Sequence, residues 1–103
     1  MKILILDTNE RLNIDKNTET LAELEGKLNE EHDELIEALH GTDLEHIVGE
    51  AFDEIQLNVG LIYRTCIKGH LSLDKLLNLH NMKLIGRGWD YKKMLEIQEV
   101  KEV

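Results

Sequence analysis

The chain has 103 residues and a formal net charge of −9 at pH 7, with no proline and one cysteine. This length is typical of a single domain with a modest core, and the excess of acid disfavours binding to nucleic-acid phosphates. One cysteine excludes an intramolecular disulfide, which fits a reducing cytosol. The absence of proline, with leucine, glutamate, lysine and isoleucine abundant, predicts an all-α fold.

The N-terminal segment differs from the rest of the chain. Residues 1–7, MKILILD, are a short apolar stretch that fits either a strand or an extended arm. The stretch is too short for a signal-peptide core or a membrane span, so we expect a cytoplasmic protein without membrane contact. Residues 7–17 are polar and contain three asparagines, which predicts a loop. We therefore divide the chain into an N-terminal arm and loop, residues 1–17, and a helical domain, residues 18–103.

A first long helix is predicted to begin near Thr18, with Asn17 or Thr18 as its N-cap. Its apolar residues recur at helical spacing and form one stripe along Leu21, Leu24, Leu28, Leu35, Ile36 and Leu39. Glu31 falls in a gap of this stripe, so its side chain is expected to face inward. Glu34 lies at the edge of the stripe, whereas Glu30 points to the far side.

An inward-facing glutamate has a simple alternative explanation. Lys27 lies four residues before Glu31, and residues at this spacing are neighbours on a helix. A salt bridge between them would satisfy the carboxylate without a second pair of acids elsewhere in the chain.

A tight turn is predicted next. Residues 40–43, HGTD, place Gly41 in the left-handed position after the helix and offer Thr42 or Asp43 as the next N-cap. The second helix is expected over about residues 44–68. Because the turn is short, the two helices should be antiparallel neighbours.

The centre of the second helix, EAFDEIQLNVGLIY, is apolar on nearly every side. Such a helix is buried all round, and the rest of this chain is too small to cover it, so we expect a partner subunit. Glu50 and Asp53 lie on the same side as Leu57 and Leu61, which predicts buried or half-buried acids. Acids in such places are unusual unless they are paired or bind a metal.

The last part of the chain contains a third helix, predicted to run from Leu71 or Ser72 to the glycines that flank Arg87. Residues 91–103 fit either a final helix or a tail, and the pattern does not separate the two. The whole sequence therefore predicts an antiparallel helix bundle completed by oligomerisation, with a short extended N-terminal arm.

Two acidic patterns carry the chemistry. Glu30, Glu31 and Glu34 form E-E-x-x-E, and Glu50 and Asp53 form E-x-x-D. Carboxylates three residues apart share one side of a helix, so two such pairs on packed antiparallel helices bring four acids together. Clustered acids repel each other, and burial makes the repulsion worse. A cation relieves it, and oxygen ligands select Mg²⁺, Mn²⁺ or Ca²⁺; we expect Mg²⁺.

The complete pattern resembles that of the MazG-like all-α nucleoside triphosphate pyrophosphohydrolases. The match covers about residues 18–68, and residues 80–89, HNMKLIGRGW, are similar to a basic segment found after the third helix in many small members. The resemblance implies Mg²⁺-dependent hydrolysis of a nucleoside triphosphate to a nucleoside monophosphate and pyrophosphate, with Mn²⁺ as a substitute metal and a homodimer or homotetramer as the assembly. Carried over by position, the metal ligands are Glu31, Glu34, Glu50 and Asp53.

The remaining roles follow from the chemistry of such a site. A carboxylate left partly free, Glu34 or Glu30, could take the proton of an attacking water. Lys83 and Arg87 are the first candidates for holding the leaving pyrophosphate, with Arg64 and Lys68 behind them. The alternative for Lys83 and Arg87 is that they complement the dipole at the end of the third helix.

Two other functions fit part of the sequence. A non-enzymatic helical interaction module would use the apolar second helix to bind a different protein, but this function gives the clustered acids no role. A ferritin-like di-metal bundle needs a Glu-x-x-His motif on each of two helices, and the nearest match, Asp43-Leu44-Glu45-His46, occurs once. The interaction module is therefore the main alternative to the enzyme.

Overall fold

The computed structural model describes residues 2–98 and 100–102, which are mainly helical. In chain order the elements are β1 (Thr8–Asn9), a 3-10 turn (Glu10–Leu12), β2 (Ile14–Asp15), α1 (Leu21–Leu39), α2 (Leu44–Gly69) and α3 (Leu73–Gly86). The predicted helical fold is confirmed, but the all-α class needs one correction, because a two-stranded sheet precedes the helices. Met1, Glu99 and Val103, which belong to the predicted arm and C-terminal segment, lie outside the described residues.

The small sheet lies in the segment that was predicted to be a loop. Thr8 pairs with Asp15 and Asn9 with Ile14 in an antiparallel hairpin. The Asn9 side chain accepts a hydrogen bond from a backbone amide of the connecting turn, and Asn13 ends that turn with a left-handed φ of 53°. Asparagine tolerates this conformation better than most residues. The asparagines that indicated a loop therefore build the turn of a hairpin.

The residues before this hairpin form an extended arm beside α2. Residues 2–6 belong to no regular element. The side-chain amide of Gln56 donates to the carbonyl oxygen of Leu4, and the guanidinium of Arg64 donates to that of Leu6. Side chains of α2 thus supply hydrogen bonds to two arm carbonyls that have no partner in a β-sheet.

Helix α1 begins two or three residues later than predicted, after Thr20 rather than after Thr18 or Asn17. The Thr20 hydroxyl accepts from the Glu23 backbone amide at 3.2 Å, and the Glu23 carboxylate accepts from the Thr20 amide, which completes a capping box. Asn17 is engaged elsewhere, since its side-chain amide donates to Asp7 at 2.6 Å and to Asp15 at 3.0 Å. Asn17, one of the two predicted N-caps, is therefore bonded to the hairpin region and does not cap α1.

Helices α1 and α2 form the antiparallel pair that the short turn predicted. Asp43 caps α2, accepting from the His46 amide at 3.2 Å. Gly41 does not adopt the predicted left-handed conformation; α1 ends instead on His40 in the right-handed region, with φ of −81°. At the far end of α2 the left-handed residue is His70, with φ of 52°.

Helix α3 packs only lightly against this pair, and none of its residues is fully buried. The helix is capped by Ser72 and stops as predicted near Gly88, whose φ is +91°. Of the two alternatives for the C-terminal segment, the final helix is absent from residues 91–98 and 100–102.

The core of the single chain is thin. Ala38, on α1, is the one apolar side chain in the described part that is fully buried, with 5 % of its surface exposed. None of the described helices combines the length and apolar character needed to cross a membrane.

Candidate metal centre

Three of the predicted ligands come together where α1 and α2 face each other. Carboxylate oxygens of Glu31, Glu50 and Asp53 all lie within 4.8 Å of one another. Glu31 and Glu50 are half-buried, and Asp53 is exposed. Glu50 and Asp53 are one turn apart on α2, and the antiparallel packing brings Glu31 of α1 opposite them. The residues are those of the E-E-x-x-E and E-x-x-D patterns.

The environment of Glu31 raises the pKa of its carboxyl group above the ordinary value. Burial is the largest cause, and the negative charges of Glu34, Asp53 and Glu50 add to it. A hydrogen bond between the Glu31 and Glu34 carboxyl groups, which requires a proton on one of them, acts in the same direction. The other three acids predicted to bind metal thus all act on Glu31.

Two oxygens of this cluster have no hydrogen-bond donor. Oε2 of Glu31 and Oε2 of Glu50 are shielded from solvent and have no partner among the described residues. A buried carboxylate oxygen without a donor is strongly unfavourable. A divalent cation bound between the helices would satisfy both oxygens, and an all-oxygen donor set suits Mg²⁺ or Mn²⁺.

The alternative salt bridge to Lys27 is not formed. Nζ of Lys27 lies 2.7 Å from Oε2 of Glu19, which also binds Nζ of Lys16 at 3.0 Å. Burial raises the pKa of Glu19, but the hydrogen bonds from Lys27 and then Lys16 outweigh it and hold the pKa below its ordinary value. The bond to Glu19 in turn raises the pKa of Lys27. Lys27, which could have neutralised Glu31, therefore forms an ion pair that links Glu19, before the helix, to α1.

Two histidines beside the cluster were not predicted to take part. Nδ1 of His46 lies 3.8 Å from Oε1 of Glu50, one turn along α2. Nδ1 of His32, on α1, lies 3.0 Å from Oε1 of Glu54 on α2. The first pair could have been found from its i, i+4 spacing, whereas the second depends on how the two helices pack.

The other predicted site residues lie outside the three-carboxylate group. Glu34 is exposed and borders it through Glu31. Glu30 is exposed and is not among the groups that affect Glu31. Lys83 and Arg87 are exposed at the end of α3 and form no side-chain hydrogen bond or ion pair with any described residue. A single chain thus brings the acids together but leaves the two cations apart from them.

Comparison of the chain with protein-family models, with curated proteins and with solved structures found no match.

Proposed function

We propose that the protein is a Mg²⁺-dependent nucleoside triphosphate pyrophosphohydrolase, which converts an NTP or dNTP and water to a nucleoside monophosphate and pyrophosphate. The observation that carries the proposal is the pair of shielded, unpartnered oxygens on Glu31 and Glu50, opposite each other on two helices. The proposal rests further on the spacing of these acids, which is that of the MazG-like enzymes that the sequence resembles.

The acids have distinct tasks in this reaction. Glu31, Glu34, Glu50 and Asp53 would hold Mg²⁺, or Mn²⁺ in its place, with room for substrate phosphates and water. When bound, the metal would supply charge stabilisation at the phosphoryl oxygens and would lower the pKa of the attacking water. Glu34, exposed beside the cluster, accepts the proton from that water. Glu30 is the second candidate for this base, and its orientation makes it the weaker one.

The negative substrate also needs cations from the protein. Lys83 and Arg87 hold the leaving pyrophosphate, because a guanidinium and an ammonium group match phosphate oxygens in charge and geometry. Neither side chain forms a hydrogen bond or ion pair with any described residue of its own chain. Both are therefore free to bind phosphate groups, either in their own chain or in a partner chain.

The assembly is a homodimer or homotetramer. Large apolar side chains of α2 and α3 are exposed in the single chain, including Phe52 at 54 % and Leu77 at 53 %. Large apolar surface that a single chain leaves exposed is typical of an interaction site.

The direct test is pyrophosphate release from a panel of ribo- and deoxyribonucleoside triphosphates with Mg²⁺. We expect release from one or a few of them, and a loss of at least about a hundredfold in Glu50→Gln, because a metal ligand is removed. Glu37→Gln, which removes an exposed glutamate on the far side of α1, is the matched control and should keep its activity. Equal activity in Glu50→Gln and the wild type would refute the assignment.

A second candidate, a non-enzymatic interaction module, is favoured by the exposed apolar surface alone. It predicts no pyrophosphate release across the panel, no stabilisation by Mg²⁺ and an intact helical signal. Stabilisation by Mg²⁺ that depends on Glu50 would count against it.

A further inference from the structure

A cavity of about 620 Å³ lies between the N-terminal arm, the start of α1 and the second half of α2. Its walls are mainly apolar and include Leu24, Leu57 and Leu61, with Gln56 and Thr65 among the polar groups. This size and this mixture are typical of sites for small molecules.

The cavity continues the helix face that carries the acid cluster. Gln56 and Leu57 follow Asp53 by three and four residues, so the cavity begins one turn beyond that carboxylate. Arg64, at the other end, lies eleven residues from Asp53, which is about 16 Å along the helix and roughly 20° around it. A ligand with its phosphates at the acids could therefore place its other end in the cavity.

Three cations line the cavity: Lys16, Arg64 and Lys68. Lys16 is paired with Glu19 at 3.0 Å, and Arg64 donates to the carbonyl of Leu6. Lys68, the Thr65 hydroxyl and the side-chain carbonyl of Gln56 have no hydrogen-bond partner in the described part of the chain. Apolar walls with a few free donors and acceptors suit a base and a sugar. A phosphate anion bound by Lys68 alone is the other occupant, and the test below separates the two.

The N-terminal arm borders this cavity on one side. Ile3 and Ile5 are half-buried and Leu6 lines the space. Gln56 and Arg64 hold the arm through the carbonyls of Leu4 and Leu6. The arm is thus a wall of the cavity, positioned by two residues of α2 that line it as well.

Gly60 makes room for this arrangement. It is buried in α2, and a Cβ placed there would lie 2.7 Å from Nη1 of Arg64. A side chain there would make the guanidinium shift and would add volume to the wall of the cavity. The absence of a side chain at residue 60 is therefore what lets Arg64 lie across the helix.

We propose that this cavity is the nucleoside subsite of the protein, and that the N-terminal arm forms its outer wall. The inference rests on the proposed function for the position of the phosphates, but the cavity itself predicts binding of a base and a sugar.

The test compares Gly60→Ala with Gly26→Ala. Both replace a helical glycine and should favour the helix, but a Cβ at residue 26 meets nothing within 4 Å. Binding of the common ribo- and deoxyribonucleoside monophosphates is measured by calorimetry with Mg²⁺, so that the acid cluster does not repel the phosphate group. Inhibition by inorganic tripolyphosphate, which has no nucleoside, is measured with Mg²⁺ in the pyrophosphate assay. Sedimentation reports the oligomeric state of each variant.

We expect Gly60→Ala to weaken binding of the preferred monophosphate about tenfold, the usual effect of a misfitted methyl group in a pocket. Inhibition by tripolyphosphate should be unchanged, and Gly26→Ala should match the wild type in both measurements. A wild type that binds no monophosphate at millimolar concentration, or a Gly60→Ala variant that binds as the wild type does, would overturn the inference. A change in oligomeric state with unchanged binding would overturn it too, because a second copy would then fill the cavity.

The two proposals fail separately. If pyrophosphate release depends on Glu50 but is unchanged by Gly60→Ala, the proposed enzyme activity stands and the proposed nucleoside subsite is wrong. If monophosphate binding depends on Gly60 but the protein releases no pyrophosphate, the proposed nucleoside subsite stands and the proposed reaction is wrong.

Discussion

At the scale of single residues, Glu31 determines how the metal-free protein should respond to pH. Its pKa in the folded chain is raised above the ordinary value of 4.5, so the folded chain binds this proton more tightly than the unfolded chain does. The free energy of unfolding should therefore decrease as pH rises from about 4.5 through the raised pKa. Glu31→Gln removes this ionisation and should flatten that part of the profile. Urea unfolding in EDTA across this range measures it, and a slope that persists unchanged in Glu31→Gln would contradict the assignment.

The same carboxylates should make stability depend on Mg²⁺. A cation that binds only the folded state stabilises it by mass action, by about 2.7 kcal/mol at a hundred times its Kd. The melting temperature should rise with Mg²⁺ in the wild type and in Glu37→Gln, and much less in Glu50→Gln. No rise at millimolar Mg²⁺, or an equal rise in all three proteins, would mean that the shielded oxygens are satisfied in some other way.

Glu19 is the residue that fastens the N-terminal region. Its pKa is held below the ordinary value of 4.5 by Lys27 and Lys16, so its contribution is complete above about pH 4.5 and is lost as pH falls through the lowered pKa. Glu19→Gln should cost about 1–2 kcal/mol at neutral pH, since hydrogen bonds to charged groups are replaced by weaker ones. Urea unfolding tests this, with the exposed Glu25→Gln as control. A loss of the same size in both variants would rule out a specific role for the two lysines.

At the scale of elements, the start of α1 depends on its capping box. Thr20→Ala removes the acceptor for the Glu23 amide and should lower the free energy of unfolding by about 1 kcal/mol. Thr18→Ala, a change at the position first predicted as the cap, should cost less, because the Thr18 hydroxyl only donates to the carbonyl of Asp15 at 3.3 Å. A larger loss at Thr18 would show that the helix begins earlier in solution.

The helices and the acid cluster could be predicted from the sequence because both follow from local spacing. Apolar residues three and four positions apart define the inward face of each helix. The same spacing placed Glu31 on the inward face of α1, where it lies close to Glu50 and Asp53. What could not be predicted depends on contacts between distant residues. Lys27 is eight residues from Glu19 and bonds to it because the chain folds back before α1. The arm reaches Gln56 across fifty-two residues, and no periodicity in the sequence indicates such a contact.

At the scale of the whole molecule, the single chain leaves a second apolar stripe of α2 uncovered. Val48, Phe52, Ile55 and Ile62 are exposed at 52, 54, 43 and 47 %. At 100° per residue they lie on the side of the helix roughly opposite to Glu50. The acid cluster uses one face of α2, so the second face is available to a partner without disturbing the site. Two copies of the chain that cover this stripe for each other would supply the core that one copy lacks.

Ile55→Glu tests this assembly, because a charge in an apolar interface is strongly unfavourable. The wild type should sediment as a dimer or tetramer, and Ile55→Glu should shift toward the monomer with a lower melting temperature. Asn29→Glu adds the same charge to an exposed position of α1, on the side of that helix away from Glu31, and should remain associated. If the wild type were monomeric, or if both variants dissociated equally, the stripe would not be the interface. Activity that falls together with dissociation in Ile55→Glu would further indicate that the partner chain supplies cations, with Lys83 and Arg87 as the candidates, because Ile55 itself points away from the acids.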